Sequence, residues 1–405
     1  MTPALPDGEP VPREGSLPAH ILAGVGRMPF GWYLHVPFCA TRCGYCDFNT
    51  YTTAELGGMS TSAYVDAALA ELRLARQVLG DHAPIATTVF VGGGTPSILP
   101  ADHLIALVDE VRDEFGLAPD AEITTEANPE SVTAAYLGRL REAGFTRVSL
   151  GMQSGRAHVL ATLDRQHSPG RAAAAVTEAR SAGFAHVNLD LIYGTPGETE
   201  QDWQASLDAA IAAGPDHISA YALVVEEGTA MARKVARGDL PPPDDDVLAD
   251  RYVQADQTLG AAGFSWYEIS NWARTHAARC RHNELYWTSG DWWGIGPGAH
   301  SHVGGVRWWN VKHPAAYAAR LAAGETPAAA REILGEAARR SERTLLRIRL
   351  ADGLPLAEIP AARRCEADRM LTYGLFDRPA YGEGRAVLTL RGRLLADAVV
   401  RDLVD

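Results

Sequence analysis

Cysteine is scarce in this chain, with five in 405 residues. A disulfide framework is excluded as the source of its stability, and a chain this long can bury a core without one. Long apolar runs are missing too. No stretch approaches the roughly 20 residues that cross a bilayer as a helix, so no membrane anchor is expected. Positive charge is in deficit: 37 Lys and Arg stand against 50 Asp and Glu, for a net charge of −13. That argues against a nucleic-acid partner, which wants a basic face, and against adhesion to anionic lipid. Residues 1–16 are rich in Pro, Gly and acid but lack the basic-then-apolar pattern of a secretion signal. They are read as part of a disordered leader over residues 1–28. The cytoplasm is the expected compartment, since a reducing milieu suits free thiols.

The cysteine that is present is concentrated. Three of the five fall in one loop, Cys39-Ala40-Thr41-Arg42-Cys43-Gly44-Tyr45-Cys46. Neighbours this close cannot all pair as unstrained disulfides. They can all point at one iron–sulfur cube, whose usual ligands are four cysteine thiolates. Three ligands leave one iron open to chemistry, as the fourth position of a catalytic zinc is open. Zinc itself is the rival. It wants another Cys or His at finger-like spacing, and none follows Cys46 within thirty residues.

Short β-rich runs alternate with Ala/Leu/Arg-rich helical stretches, which is the pattern of βαβ units and a parallel sheet. Strands are expected at 32–36, 87–91, 122–125, 147–150, 186–192 and 217–223. Helices are expected between them, at 62–79, 101–115, 134–143, 170–182 and 200–213. Six such units predict an α/β fold, an incomplete (β/α)6-type barrel whose chemistry sits in the loops at the carboxyl ends of the strands. The acid run at 241–246 reads as a loop, or as a cap for a helix starting near Val247. The barrel with its extension (264–310) is taken as 29–314. A small C-terminal α+β domain, with a winged helix among its candidates, is taken as 315–405. It is expected to have helices at 336–350 and 361–375, a strand at 385–390 and a helix at 394–403. The acidic total favours a packing or lid role for it over DNA binding.

The spacing C-x3-C-x2-C, entered by Tyr33-Leu34-His35-Val36-Pro37-Phe38, resembles the radical S-adenosylmethionine (SAM) superfamily. The resemblance implies a [4Fe-4S] cluster on Cys39, Cys43 and Cys46, with SAM on the open iron. Val91-Gly92-Gly93-Gly94-Thr95-Pro96-Ser97 follows the second expected strand. Its glycines let backbone approach a ligand closely, and it lacks the Lys of a phosphate loop. Placed after such a cysteine loop, it resembles the superfamily's motif for the SAM amino group. Glu126, in Thr125-Glu126-Ala127-Asn128-Pro129, ends the third strand as a carboxylate suited to a ribose or an amino group, unless it is an ordinary surface Glu before a turn.

Ser149-Leu150-Gly151-Met152-Gln153-Ser154, Asn188-Leu189-Asp190-Leu191-Ile192-Tyr193-Gly194 and His217-Ile218-Ser219-Ala220-Tyr221 narrow this resemblance to the oxygen-independent coproporphyrinogen III oxidase family, over about 32–310. It implies that Tyr33, Tyr45, Gly93, Gly94, Thr95 and Glu126 contact the cluster-bound SAM. It also implies that Gln153, Arg165 and Asp190 match positions holding a second SAM. Without the resemblance these three read as a solvated helix end (Arg165) and satisfied polar groups inside a barrel (Gln153, Asp190).

Two departures separate this chain from the oxidase. Phe48 stands where the oxidase has a further cysteine, and Cys280-Arg281-His282-Asn283-Glu284-Leu285-Tyr286-Trp287 contains H-N-x-x-Y-W. Both resemble the heme chaperone branch, in which that His is implicated in holding heme. A neutral imidazole is a standard axial ligand, and a thiolate such as that of Cys280 is another. Trp287, Trp292 and Trp293 offer flat apolar surface. His300 and His302 are further candidates, in a Gly-rich loop expected to close over the barrel mouth. Against this, a His among aromatics is often a hydrogen-bonded core residue, and Trp-rich stretches often serve packing. The expectation is a heme chaperone, monomer or homodimer, that delivers heme to client proteins such as respiratory enzymes. It leaves reductive SAM cleavage open. The alternatives are coproporphyrinogen oxidation, which the departures disfavour, and a radical SAM enzyme with another substrate.

Overall fold

The computed structural model describes residues 8–52, 54–56, 59–165 and 168–404. Six β/α units come first. Strands β1 (Phe30–Val36), β2 (Ala86–Gly93), β3 (Leu117–Ala127), β4 (Arg147–Gln153), β5 (His186–Tyr193) and β6 (His217–Ala222) lie side by side in chain order, all parallel. Helices α1 (Thr61–Leu79), α2 (Ala101–Phe115), α3 (Ala134–Glu142), α4 (Arg171–Ser181) and α5 (Glu200–Ala212) separate them. Hydroxyls of Ser60, Thr133 and Thr199 start α1, α3 and α5 by accepting backbone N–H bonds, which satisfies donors the helix cannot. Strands covered on both faces read as nearly continuous apolar runs, and β1 is buried at all but one of its positions. Each of these strands falls within a few residues of its expected place, apart from a longer β3.

The sheet is wider than six strands. After α6 (Asp245–Ala261) come β7 (Ser265–Glu268), β8 (Asn271–Ala273), helix α7 (Arg281–Trp287), β9 (Asp291–Ile295), β10 (His300–Val303), β11 (Val306–Asn310), helix α8 (Pro314–Ala322) and β12 (Ala328–Ile333). The full order is β12-β11-β10-β9-β1-β2-β3-β4-β5-β6-β8-β7. β9 is parallel to β1, so seven parallel strands form the arc and antiparallel arms extend both ends. Of the tryptophans expected to present flat surface to a porphyrin, Trp287 lies on α7 and Trp292 and Trp293 on β9. Trp293 is only 4% exposed; it stacks on Trp32 and meets Trp308 edge-on in the core. Asp244 caps α6 by accepting from the Asp246 and Val247 amides, so the acid run takes its cap role.

The expected leader is different. Residues 1–7 lie outside the described residues. Residues 8–28 are packed rather than disordered: Glu9 pairs by backbone with Arg331 of β12, and Leu17 and Ile21 are buried in the main core. The edge of β12 has unpaired backbone groups that this segment satisfies. The C-terminal unit also begins later than expected, because α8 packs on α1 and β12 completes the sheet. Its own core gathers Ile348, Leu354, Met370, Phe376, Val399 and Leu403 beneath α9 (Glu336–Arg347), α10 (Arg364–Thr372) and α11 (Ala396–Val404). The strand expected at 385–390 is reduced to Arg385–Ala386, paired with Leu354–Pro355. This unit packs on β7 and on the segment before α7, through Ala351 N to Tyr267 O and Arg279 to Asp352. Two bonds from Arg393 to Asp256 add to it.

Candidate functional site

The carboxyl end of β1 delivers Cys39, Cys43 and Cys46 to the barrel mouth, each partly exposed. The glycine loop after β2 is bonded directly to them. Gly94 N donates to Val36 O and Thr95 N to Phe38 O. A Cβ on Gly94 would stand 3.0 Å from Cys39 Sγ, and one on Gly93 (φ +113°) 2.6 Å from His35 Nδ1. Glycine is needed there because two chain segments touch. Thr95 Oγ1 donates to Cys39 Sγ at 3.8 Å, and Arg165 Nη1 to Cys43 Sγ at 3.5 Å. Burial pushes the Cys39 thiol up and the Cys46 thiol up to about 11, and the neighbouring thiols push the same way. Two thiols raised in this way, beside a third, need positive charge between them to be thiolates together. An iron–sulfur cube takes cysteine thiolates as its usual ligands, and this donor set beside its glycine shoulder fits one.

The structure gathers the expected SAM residues at the same end. Glu126 Oε2 accepts from Gly93 N at 3.0 Å. Burial raises its carboxyl to about 8, with Asp190 adding to the effect. Asp190 is raised by burial as well and is held by Ser149 Oγ at 2.7 Å and Asn188 Nδ2 at 2.8 Å. Tyr33 Oη pairs with His35 Nδ1 at 2.9 Å. Tyr45 is buried against Cys43, which with burial lifts its phenol. Gln153 closes β4 in the left-handed region, φ +61°, a strained setting for a non-glycine residue that recurs at functional sites. Arg165, expected at a second SAM, bridges Cys43 Sγ and Gly151 O (3.0 Å).

Below this layer lies a polar cavity of about 80 Å³, lined by Phe90, Thr124, Glu126, Ser149, Asn188, Asp190, Ser219 and Tyr221 among others. Its floor comes from the segment that ends in α7. Glu122 and Arg147 form a buried ion pair at 2.9 Å, and Arg147 also donates to the carbonyls of Ala278 and Arg279. His217 joins Asn188 to Tyr267.

His282 lies in this segment, whose Cys280 and Asn283 line the cavity. It is 1% exposed. Its Nδ1 pairs with Thr88 Oγ1 and its Nε2 with Tyr286 Oη, both at 2.8 Å, and its ring stacks on Phe90. Burial drops it to about 3, so the ring is neutral. Cys280 is buried as well, near Glu122, and burial keeps it a thiol. Both side chains are closed off from the outer surface. Of the other candidates, His302 is buried against Gly290 O, and His300 is exposed beside Trp309. The Gly-rich loop of the sequence reading is mostly β9 and β10, and its turn abuts the cysteine loop.

That contact involves residues the sequence reading passed over. Asn49 Nδ2 donates to Pro297 O (2.9 Å) and Lys312 O (2.8 Å), while Asn49 O meets His35 Nε2 at 2.9 Å. Thr50, next to it, is buried. Their only sequence signal is proximity to Cys46. Phe48, by contrast, is 62% exposed.

Residues 33–210 match the family model of the radical SAM superfamily. The heme chaperone HemW of Mycobacterium tuberculosis (strain H37Rv) is 60% identical over 95% of this chain and 97% of that protein. The heme chaperone HemW of Escherichia coli (strain K12) is 39% identical over 68% of this chain and 70% of its own length. Among solved structures, coproporphyrinogen III oxidase (HemN) from Escherichia coli, a radical SAM enzyme, superposes with a TM-score of 0.81 at 23% identity, covering 95% of this chain and 92% of that one. At that identity the likeness shows the fold. No helix among the described residues is long and apolar enough to cross a membrane.

Proposed function

The chain belongs to the radical SAM superfamily and, within it, to the family of the heme chaperones HemW, and from that premise we propose that it binds heme and hands it to heme-requiring proteins, respiratory enzymes among them. The observation that carries this reading is the 60% identity that runs through 95% of the chain. Phe48 and the H-N-x-x-Y-W run at His282 support it. The proposed compartment is the cytoplasm.

Cys39, Cys43 and Cys46 are assigned to a [4Fe-4S] cluster, and Glu126 with the Gly93 amide to the amino group of SAM. The bound pair supplies one-electron chemistry at the mouth. The chain's own residues prepare that site. Glu126 is buried and raised, so an ammonium group beside it meets a carboxyl that gains by ionising. Tyr33 and His35 hold the β1 end in register with Asn49. His282 is proposed as the heme ligand. Its neutral imidazole is the form that binds iron, and Nε2 must exchange Tyr286 for the metal.

The test is a heme titration of anaerobically reconstituted protein, followed by the Soret band, with His282→Ala and Cys280→Ala beside wild type. A saturable shift weakened about tenfold or more in His282→Ala, roughly 1.4 kcal/mol, is expected, with Cys280→Ala unchanged. Equal binding by His282→Ala would refute that ligand, and no specific binding by wild type would remove the chaperone reading. Incubation with coproporphyrinogen III, SAM and reductant is expected to release no CO2.

A further inference from the structure

Thr50 has a buried hydroxyl that completes no hydrogen bond of full geometry. The residue is 2% exposed, and Oγ1 is left without a well-aligned partner. Such groups are few in folded proteins, and each calls for an explanation. The limb that carries it runs alongside the first cysteine, Phe38 pairing with Tyr51 and Cys39 with Thr52, and this brings the hydroxyl to the Cys39 and Cys46 sulfurs.

The backbone around Thr50 is fixed on several sides. Thr50 N donates to Phe48 O and Tyr51 N to Pro37 O, both at 2.7 Å. Arg42 Nη2 donates to Thr50 O. Asn49 anchors the preceding residue to the carbonyls of Pro297 and Lys312. A hydroxyl held this firmly at two thiols, with no well-aligned hydrogen bond to either, is preorganised for a charge that arrives with the ligand. The other donors divide among the sulfurs: Thr95 goes to Cys39, Arg165 to Cys43 and the Phe48 amide to Cys46.

We propose that Thr50 donates a hydrogen bond to the sulfurs of the iron–sulfur cluster on its Cys39 and Cys46 side and so sets the cluster's reduction potential. The proposal rests on the cluster assignment above. Hydrogen bonds to the sulfurs stabilise the more negative, reduced state and raise the potential, and residues behind the ligands tune a metal centre in this way. Asn49 acts through Thr50 as a positioning residue, because it fixes the limb that carries the hydroxyl.

The experiment compares full-length wild type, Thr50→Val and Thr50→Ser after anaerobic reconstitution. Iron and sulfide content are measured first, then the midpoint potential by EPR-monitored redox titration. Val has the shape of Thr without the hydroxyl, and Ser restores it. Wild type without iron and sulfide would sink the cluster assignment itself, separately from this proposal. With wild type loaded, Thr50→Val is expected to load equally and titrate at a more negative potential. The shift is about threefold to tenfold in the reduction equilibrium, or about 30–60 mV for one electron, and Thr50→Ser returns towards wild type. Loss of the cluster in Val with rescue by Ser also assigns the hydroxyl to the cluster. A fully loaded Val variant at the wild-type potential overturns the proposal, as does a Ser variant that behaves like Val.

Discussion

At Gly94 one methyl group is already too many. Its Cβ would meet Cys39 Sγ at 3.0 Å and crowd Phe38 O, so Gly94→Ala must push the cysteine loop outward. Overpacking of this kind costs about 1–3 kcal/mol, and here the displacement falls on a ligand. The variant is expected to keep its helical circular dichroism and lose at least about half of its reconstituted iron. Wild-type iron content in Gly94→Ala would show that the loop adapts freely. That the cysteines and glycines gather at one place was legible because each follows from local chemistry: thiol spacing in one case, the absent Cβ in the other. Thr50 was not legible. Its burial and its lack of a partner are products of the tertiary fold, and a threonine after Asn49 carries no mark in the sequence. Arg165 reads by itself as a solvated helix end, because nothing local says that it returns to Cys43.

The six parallel strands were readable because short apolar runs between amphipathic helices leave few other arrangements. The strands added after them were not. The residues of β9 to β11 include tryptophans, histidines and glycines, whose chemistry invites a cofactor reading, and only the pairing of β9 with β1 and of β10 to β12 in turn shows them to be sheet. α7 is the element on which this matters most. Arg147 fixes the chain entering it by binding two carbonyls, Ala278 O and Arg279 O, and Glu122 receives His282 N at the first turn. The Arg147–Glu122 pair is buried on both sides, with 1% and 6% of the side chains exposed. Removing one partner of a buried pair leaves a charge with no answer, a loss of about 3–5 kcal/mol. Glu122→Ala is therefore expected to lower stability by about that amount in a denaturant titration of the apoprotein. Asp102→Ala breaks an exposed pair with Arg139 and is expected to cost at most about 1 kcal/mol. If the two variants cost the same, the barrel floor does not depend on this ion pair.

On the scale of the whole molecule, one carboxyl joins parts of the chain more than 200 residues apart. Glu71, on α1, accepts from Gly296 N at 2.8 Å, Tyr317 Oη at 2.5 Å and Asn310 Nδ2 at 2.7 Å. It thereby ties the β9–β10 turn, the end of β11 and α8 to one helix. Burial raises it to about 7, against the pull of those three donors. An unfolded Glu ionises near about 4.3. Between that pH and about 7 the folded chain keeps a proton the unfolded chain has lost, so stability from this group falls as pH rises. It is fully present below about 4.3 and gone above about 7, a swing of about 4 kcal/mol at 1.36 kcal/mol per unit. Buried neutral histidines oppose it. His217 and His282 are depressed by burial, so their contribution is present above about 6.5 and lost as pH falls. A single pH profile therefore mixes the two, but wild type minus Glu71→Gln does not, because the histidines are common to both. The melting temperature of wild-type apoprotein, relative to Glu71→Gln, is expected to fall between pH 5 and pH 8. A constant offset across that range would mean that three hydrogen bonds outweigh burial and that Glu71 is ionised throughout.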